Sequence, residues 1–167
     1  MEQQTRWNGR SVWTPVAREA FRSGTIAALA MIPFALFFRT LGWRINEYGI
    51  RVVHVLFGAL PNTAQFGLFV LEHFIISWSA AVPLLVLLTV LHGRVSGLLV
   101  GVLYGGGFYV IVNSLALPVL FGDTTPWALG FRTVIAPSLV VHIVYGLSIA
   151  LTSRTLVERL GQDVASG

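Results

Sequence analysis

The sequence predicts an all-α fold, an integral membrane four-helix bundle with one interfacial or re-entrant amphipathic helix. Three observations carry this prediction. The chain is 55% hydrophobic and only 11% charged, against roughly 25% charged in soluble domains. Four apolar runs approach or exceed the roughly 20 residues that a helix needs to cross a bilayer. Every one of the 11 basic residues is arginine, and the arginines flank these runs, as expected of residues that set topology and meet anionic lipid. That placement explains the net charge of +4 better than nucleic-acid binding does. The chain has no cysteine, which excludes disulfides, thiolate catalysis and cysteine metal sites.

The expected organisation is a single membrane domain. A cytoplasmic arm, about 1–23, leads into a first span at about 24–43. Arg6, Arg10, Arg18 and Arg22 precede that span, but this leader is over twenty residues long and no small-residue cleavage site precedes the arginines that follow the run, so it reads as a retained span and not as a signal peptide. Arg39 lies near its end, where it can snorkel to the headgroups.

The segment at about 45–60 is the amphipathic helix. Glu47, Arg51, His54 and Gly58 form one stripe, while Ile50, Val53, Phe57 and Leu60 form the other face. Glu47 and Arg51 also make a favourable i,i+4 pair. An interfacial placement fits this pattern, with a re-entrant piece as the alternative. Pro61-Asn62 breaks it.

The second span is expected at about 66–91 and the third at about 95–121. The short link His92-Gly93-Arg94 predicts a tight antiparallel hairpin between them. Gly122-Asp123-Thr124-Thr125-Pro126-Trp127 has turn chemistry. Trp127, Trp43 and Tyr48 are expected to form an interfacial anchor set on one side. The fourth span falls at about 133–152, followed by a cytoplasmic tail, 153–167, expected to be loose from Gly161. Counting arginines, seven against four, places both termini in the cytoplasm of a bacterial-type inner membrane.

Gly93, Gly97, Gly101 and Gly105 recur at four-residue spacing. Small residues at that spacing make a flat stripe on which another helix packs closely. The stripe serves packing inside the bundle, or it is the seam of a homodimer or larger membrane complex. Pro118 is expected to break the third span near its outer end and free a carbonyl.

Glu72 is the only formal charge between Arg51 and Arg94. A carboxylate at membrane depth is costly and marks a functional candidate. His73, Asn113 and His142 lie on three different spans, all at about 10–15 Å below the outer surface at roughly 1.5 Å per residue. Ser77, Ser138 and Tyr145 extend this polar level. Glu72 and His73 are sequence neighbours and diverge by about 100° around a helix, so they face different partners. Arg39 or Arg51 is available to neutralise Glu72. Three readings compete. The level is a hydrogen-bonded lock between spans. Alternatively His73 and His142 ligate a haem iron or, with Glu72, a metal. The third reading is a proton or solute pathway. No cofactor is predicted, and haem or metal remains the alternative.

Leu71-Glu72-His73-Phe74-Ile75-Ile76-Ser77, Val95-Ser96-Gly97-Leu98-Leu99-Val100-Gly101, Asn113-Ser114-Leu115-Ala116-Leu117-Pro118, Pro126-Trp127 and Val141-His142-Ile143-Val144-Tyr145-Gly146 occur in this order. Over about residues 66–150 this pattern resembles the YagU-like inner-membrane proteins, with a looser likeness to YqhR-type membrane proteins. The resemblance implies a multi-span helical fold in the inner membrane and directs attention to His73, His142 and the glycine span between them. The first span and the amphipathic helix depart from the family pattern. The resulting expectation is a non-enzymatic membrane protein, a scaffold or accessory subunit, with the lipid bilayer as its principal partner.

Overall fold

The computed structural model describes residues 13–45 and 48–165. Among the described residues the regular structure is entirely helical. Four helices are long and apolar enough to cross a membrane, Trp13–Thr40, Asn62–Val90, Gly97–Phe121 and Thr133–Thr152. They are spans one to four below. A connecting helix, Tyr48–Phe57, joins spans one and two, and a C-terminal helix, Arg154–Ala165, follows span four. Large apolar side chains point outward along the spans, including Leu103, Ile111 and Val119, the arrangement expected where lipid replaces water as the solvent.

Span one begins earlier than the apolar run, because its buried face is made of small residues that hydropathy underweights. Val16, Ala20, Ser23, Gly24, Ala27 and Ala28 are buried at successive turns. Arg18 and Arg22 therefore lie within this helix, while Arg6 and Arg10 fall outside the described residues. The Arg22 guanidinium bonds Glu19 at 2.6 Å and the Thr152 carbonyl at 2.5 Å, capping the end of span four.

The neighbour relations correct the expected hairpin. The six-residue turn at 91–96 does link spans two and three, yet the most extensive interhelical contacts join span three to span four, span four to span one, and span one to span two. Spans two and three touch much less. The cause is where the small residues lie. Gly101 and Gly105 face span four, and that face draws span three away from its sequence neighbour.

Two prolines reshape helices without ending them. Ahead of Pro118 the third span widens into an i→i+5 register over Tyr109–Ala116, with the Leu117 N–H bonding the Val112 carbonyl. The expected break at Pro118 is replaced by this wide turn, and the helix runs on to Phe121. Gly122 then caps it at φ 66°, with the Asp123 N–H returning 2.8 Å to the Pro118 carbonyl. Ahead of Pro137 a second wide segment, Phe131–Ile135, opens span four. Pro137 has no N–H for the Thr133 carbonyl four residues earlier, and the Arg44 backbone N–H takes that carbonyl instead, at 2.9 Å.

The connecting helix packs on the N-terminal part of span two, with Tyr48 and Val53 buried. Arg51 pairs with Asp123 and its guanidinium lies 4.5 Å over the Phe121 ring. Tyr48 stacks on Phe121 at 5.6 Å. Tyr48 is thus buried by packing against Phe121. Trp43 stacks on Phe38, and Trp127 is the exposed one. Glu47, the expected helix partner of Arg51, lies outside the described residues. The tail beyond Gly161 is helical to Ala165 and not loose. Val157 is buried, and Gly161 lets the helix approach His92, whose Cδ2 would be 2.6 Å from a Cβ placed there.

Candidate functional site

His142 is the centre of the polar layer. Its Nδ1 is 2.7 Å from the Ser138 carbonyl, one turn earlier on span four. A carbonyl only accepts, so Nδ1 carries the proton and Nε2 presents a lone pair. Asn113 Nδ2 is 2.8 Å from Nε2 and donates to it. Both imidazole nitrogens are therefore satisfied by the neutral Nδ1-protonated ring. The ring stacks on Phe108 at 5.9 Å and meets Tyr109 in a tilted contact at 5.6 Å. Asn113 sits in the wide turn, which sets where its amide meets span four.

His73 does not join this pair through a shared partner. It faces span one, with Nε2 3.5 Å from the Ala28 carbonyl, at the outer limit of hydrogen bonding. Both nitrogens of His142 are engaged, by Ser138 and Asn113, and His73 is not one of their partners. No group of three or more His, Asp or Glu residues suited to a metal occurs among the described residues.

Tyr145 belongs to a second tie, one helical turn from the first. Its hydroxyl donates to the Ser77 carbonyl at 2.6 Å, and the Ser77 hydroxyl donates to the Gly24 carbonyl at 2.8 Å. Spans four, two and one are joined through one residue. Trp78 Nε1 adds a bond to Thr25 Oγ1 at 2.9 Å, and the Tyr104 hydroxyl ties span three to the Ala80 carbonyl of span two at 2.6 Å.

Glu72 points away from the layer. It lies half-buried against Gly49 of the connecting helix, with the Phe69 ring 2.8 Å from where a Gly49 Cβ would be. Arg51, the expected counter-charge, is committed to Asp123. Among the described residues the Glu72 carboxylate has no hydrogen-bond or ion-pair partner.

The glycine stripe divides. Gly101 and Gly105 meet the backbone of span four. A Cβ on Gly101 would come 2.6 Å from the Gly146 carbonyl oxygen and 3.0 Å from Ala150 Cβ, and one on Gly105 would collide with the His142 carbonyl. Gly97 sits 3.5 Å from Leu88 on span two by the same measure. Gly93 is in the turn at φ 74° with open space around it, so it serves the turn and not the stripe.

Sequence reasoning passed over Tyr104, Gly24 and Gly49, and it noted Tyr109 and Gly146 without giving either a role. Two of these carried a readable signal, since Gly24-x-x-x-Ala28 and Gly146-x-x-x-Ala150 are small pairs at helical spacing. Tyr104 and Tyr109 look like ordinary apolar-face aromatics until a partner carbonyl or ring is known.

Apolar length and outward-facing aliphatic side chains together mark a helical membrane protein with four apolar helices. Compared with known protein families, curated proteins and solved structures, the chain matches none.

Proposed function

We propose that this is a non-enzymatic, multi-pass inner-membrane protein that acts as a scaffold or accessory subunit, related to the YagU-like proteins and placed with both termini in the cytoplasm. One observation carries the reading most directly. Several polar side chains between spans are spent on interhelical bonds, Tyr145 to Ser77, Ser77 to Gly24, Asn113 to His142 and Tyr104 to Ala80. Such an interior favours rigidity over turnover. The clefts on its surface are open and apolar, one lined by Pro33, Phe34, Phe37, Phe38 and Val140, and suit acyl chains or a partner helix. The glycine face toward span four is already used, so a homodimer or larger complex would form through another surface. Purification in a mild detergent tests this reading. A membrane partner or second copy is expected to co-migrate on native gels. A clean monomer with no associated protein overturns it.

Glu72 supports a second reading, proton-coupled or small-solute transport at the outer half of the bundle. A carboxylate at membrane depth without a partner among the described residues is a functional feature by default. pH-dependent flux in liposomes between about pH 5 and pH 8, lost in Glu72→Gln, is its expected signature. The absence of flux over that range removes it.

A further inference from the structure

The wide turn of the third span holds two buried hydroxyls that the interhelical ties do not use. Tyr109 is 1% exposed and Ser114 is 0% exposed, and the hydroxyl oxygen of each has no hydrogen-bond partner among the described residues. Natural interiors rarely leave such groups unmatched, because the lost hydration is not recovered. Both residues lie on one element, Tyr109–Ala116, and flank Asn113. In the i→i+5 register the N–H of Ser114 stacks over the carbonyl of Tyr109, so the two residues stand one wide turn apart on the same side of the helix. The Tyr109 ring is held against the His142 ring at 5.6 Å, and Asn113 bonds His142. Wide turns of this type within α-helices recur at functional sites.

We propose that this segment is an internal hydration site, in which water held by the Tyr109 and Ser114 hydroxyls completes the polar layer around Asn113 and His142. The chemistry of the surroundings selects the occupant. The orphan groups are neutral hydroxyls, each able to donate and accept. Glu72 lies against Gly49 of the connecting helix and supplies no counter-charge to this layer. Arg51 is held by Asp123 and offers an anion none. A neutral molecule that donates and accepts in several directions matches such hydroxyls, and water is the smallest. The site stands whether the protein is a scaffold or a transporter.

Hydroxyl-radical footprinting of the unaltered protein in lipid nanodiscs tests the proposal, because radicals made from a bound water mark the side chain beside it. Tyr145 is the internal control. It is similarly buried, at 4% exposed, but its hydroxyl is bonded to the Ser77 carbonyl. Tyr109 is expected to be oxidised several-fold faster than Tyr145. Equal, slow labelling of the two overturns the site. Thermal unfolding adds a sign test. If the hydroxyls hold water, Tyr109→Phe and Ser114→Ala each lower the melting temperature by a few degrees. If they are dry, removing an unmatched hydroxyl leaves stability unchanged or raises it, and either result counts against hydration. Should a variant fail to fold, footprinting of the unaltered protein decides alone.

Discussion

At the scale of single residues, the bundle is held by a few hydrogen bonds that run from side chain to backbone. Tyr145 illustrates their worth. Interhelical bonds in membranes contribute about 0.6 kcal/mol on average and up to about 1.7 kcal/mol. Tyr145→Phe removes only the bond to the Ser77 carbonyl, so a loss of that size is expected, measured as a lower melting temperature in detergent at unchanged helical circular dichroism. His142→Ala removes more. It takes away the acceptor for Asn113, the contacts with Phe108 and Tyr109, and the internal bond to Ser138. Its destabilisation is expected to exceed that of Tyr145→Phe, and an equal or smaller effect would deny His142 a structural role. Some of this was legible in the sequence. His142 and Asn113 drew attention because both are polar and share a depth. His73 shares that depth but faces span one, since depth fixes height along a helix and says nothing of rotation around it.

At the scale of elements, glycine placement and proline chemistry decide how helices meet and bend. Gly105 lets the third span lie directly on the His142 backbone. A methyl group there meets main chain, which cannot rotate away, so Gly105→Ala is expected to cost about 1–3 kcal/mol by overpacking. Gly97→Ala, with 3.5 Å of ordinary contact to Leu88, is expected to be close to neutral. Equal melting temperatures for the two variants would show that the third span packs on some other face. Pro137 acts through what it lacks. Restoring an N–H in Pro137→Ala gives the Thr133 carbonyl an internal partner and sets it in competition with the Arg44 N–H. Hydrogen exchange at the Arg44 amide is expected to quicken, while an unchanged rate would mean that the Arg44–Thr133 bond is held by its surroundings. The sequence showed the glycine spacing and both prolines. It did not show the wide turns, because an i→i+5 register leaves no compositional mark and depends on whether neighbouring helices hold a proline-weakened segment together.

At the scale of the whole molecule, run length and arginine placement made four spans readable, whereas their arrangement was not. A short link suggested that spans two and three are close partners, but connectivity constrains only the ends that it joins. The packing energy lies where small residues coincide, and Gly101 and Gly105 found Gly146 and Ala150 on span four. The order is testable because the chain lacks cysteine, so introduced pairs report without background. A cysteine pair at Gly24 and Ser77 is too disruptive, since both residues form a tie. Cysteines at Leu98 and Leu151, exposed near the same end of spans three and four, probe that neighbour pair with a short bifunctional reagent. Cysteines at Ile111 and Ile76, exposed on spans three and two, probe the pair that separates away from the link. Efficient cross-linking in the first variant and little in the second is expected of an order in which span four, and not span two, lies along span three. Cross-linking of the second pair alone, at equal cysteine reactivity, would restore the hairpin that sequence adjacency suggested and would require Gly101 and Gly105 to face something other than span four.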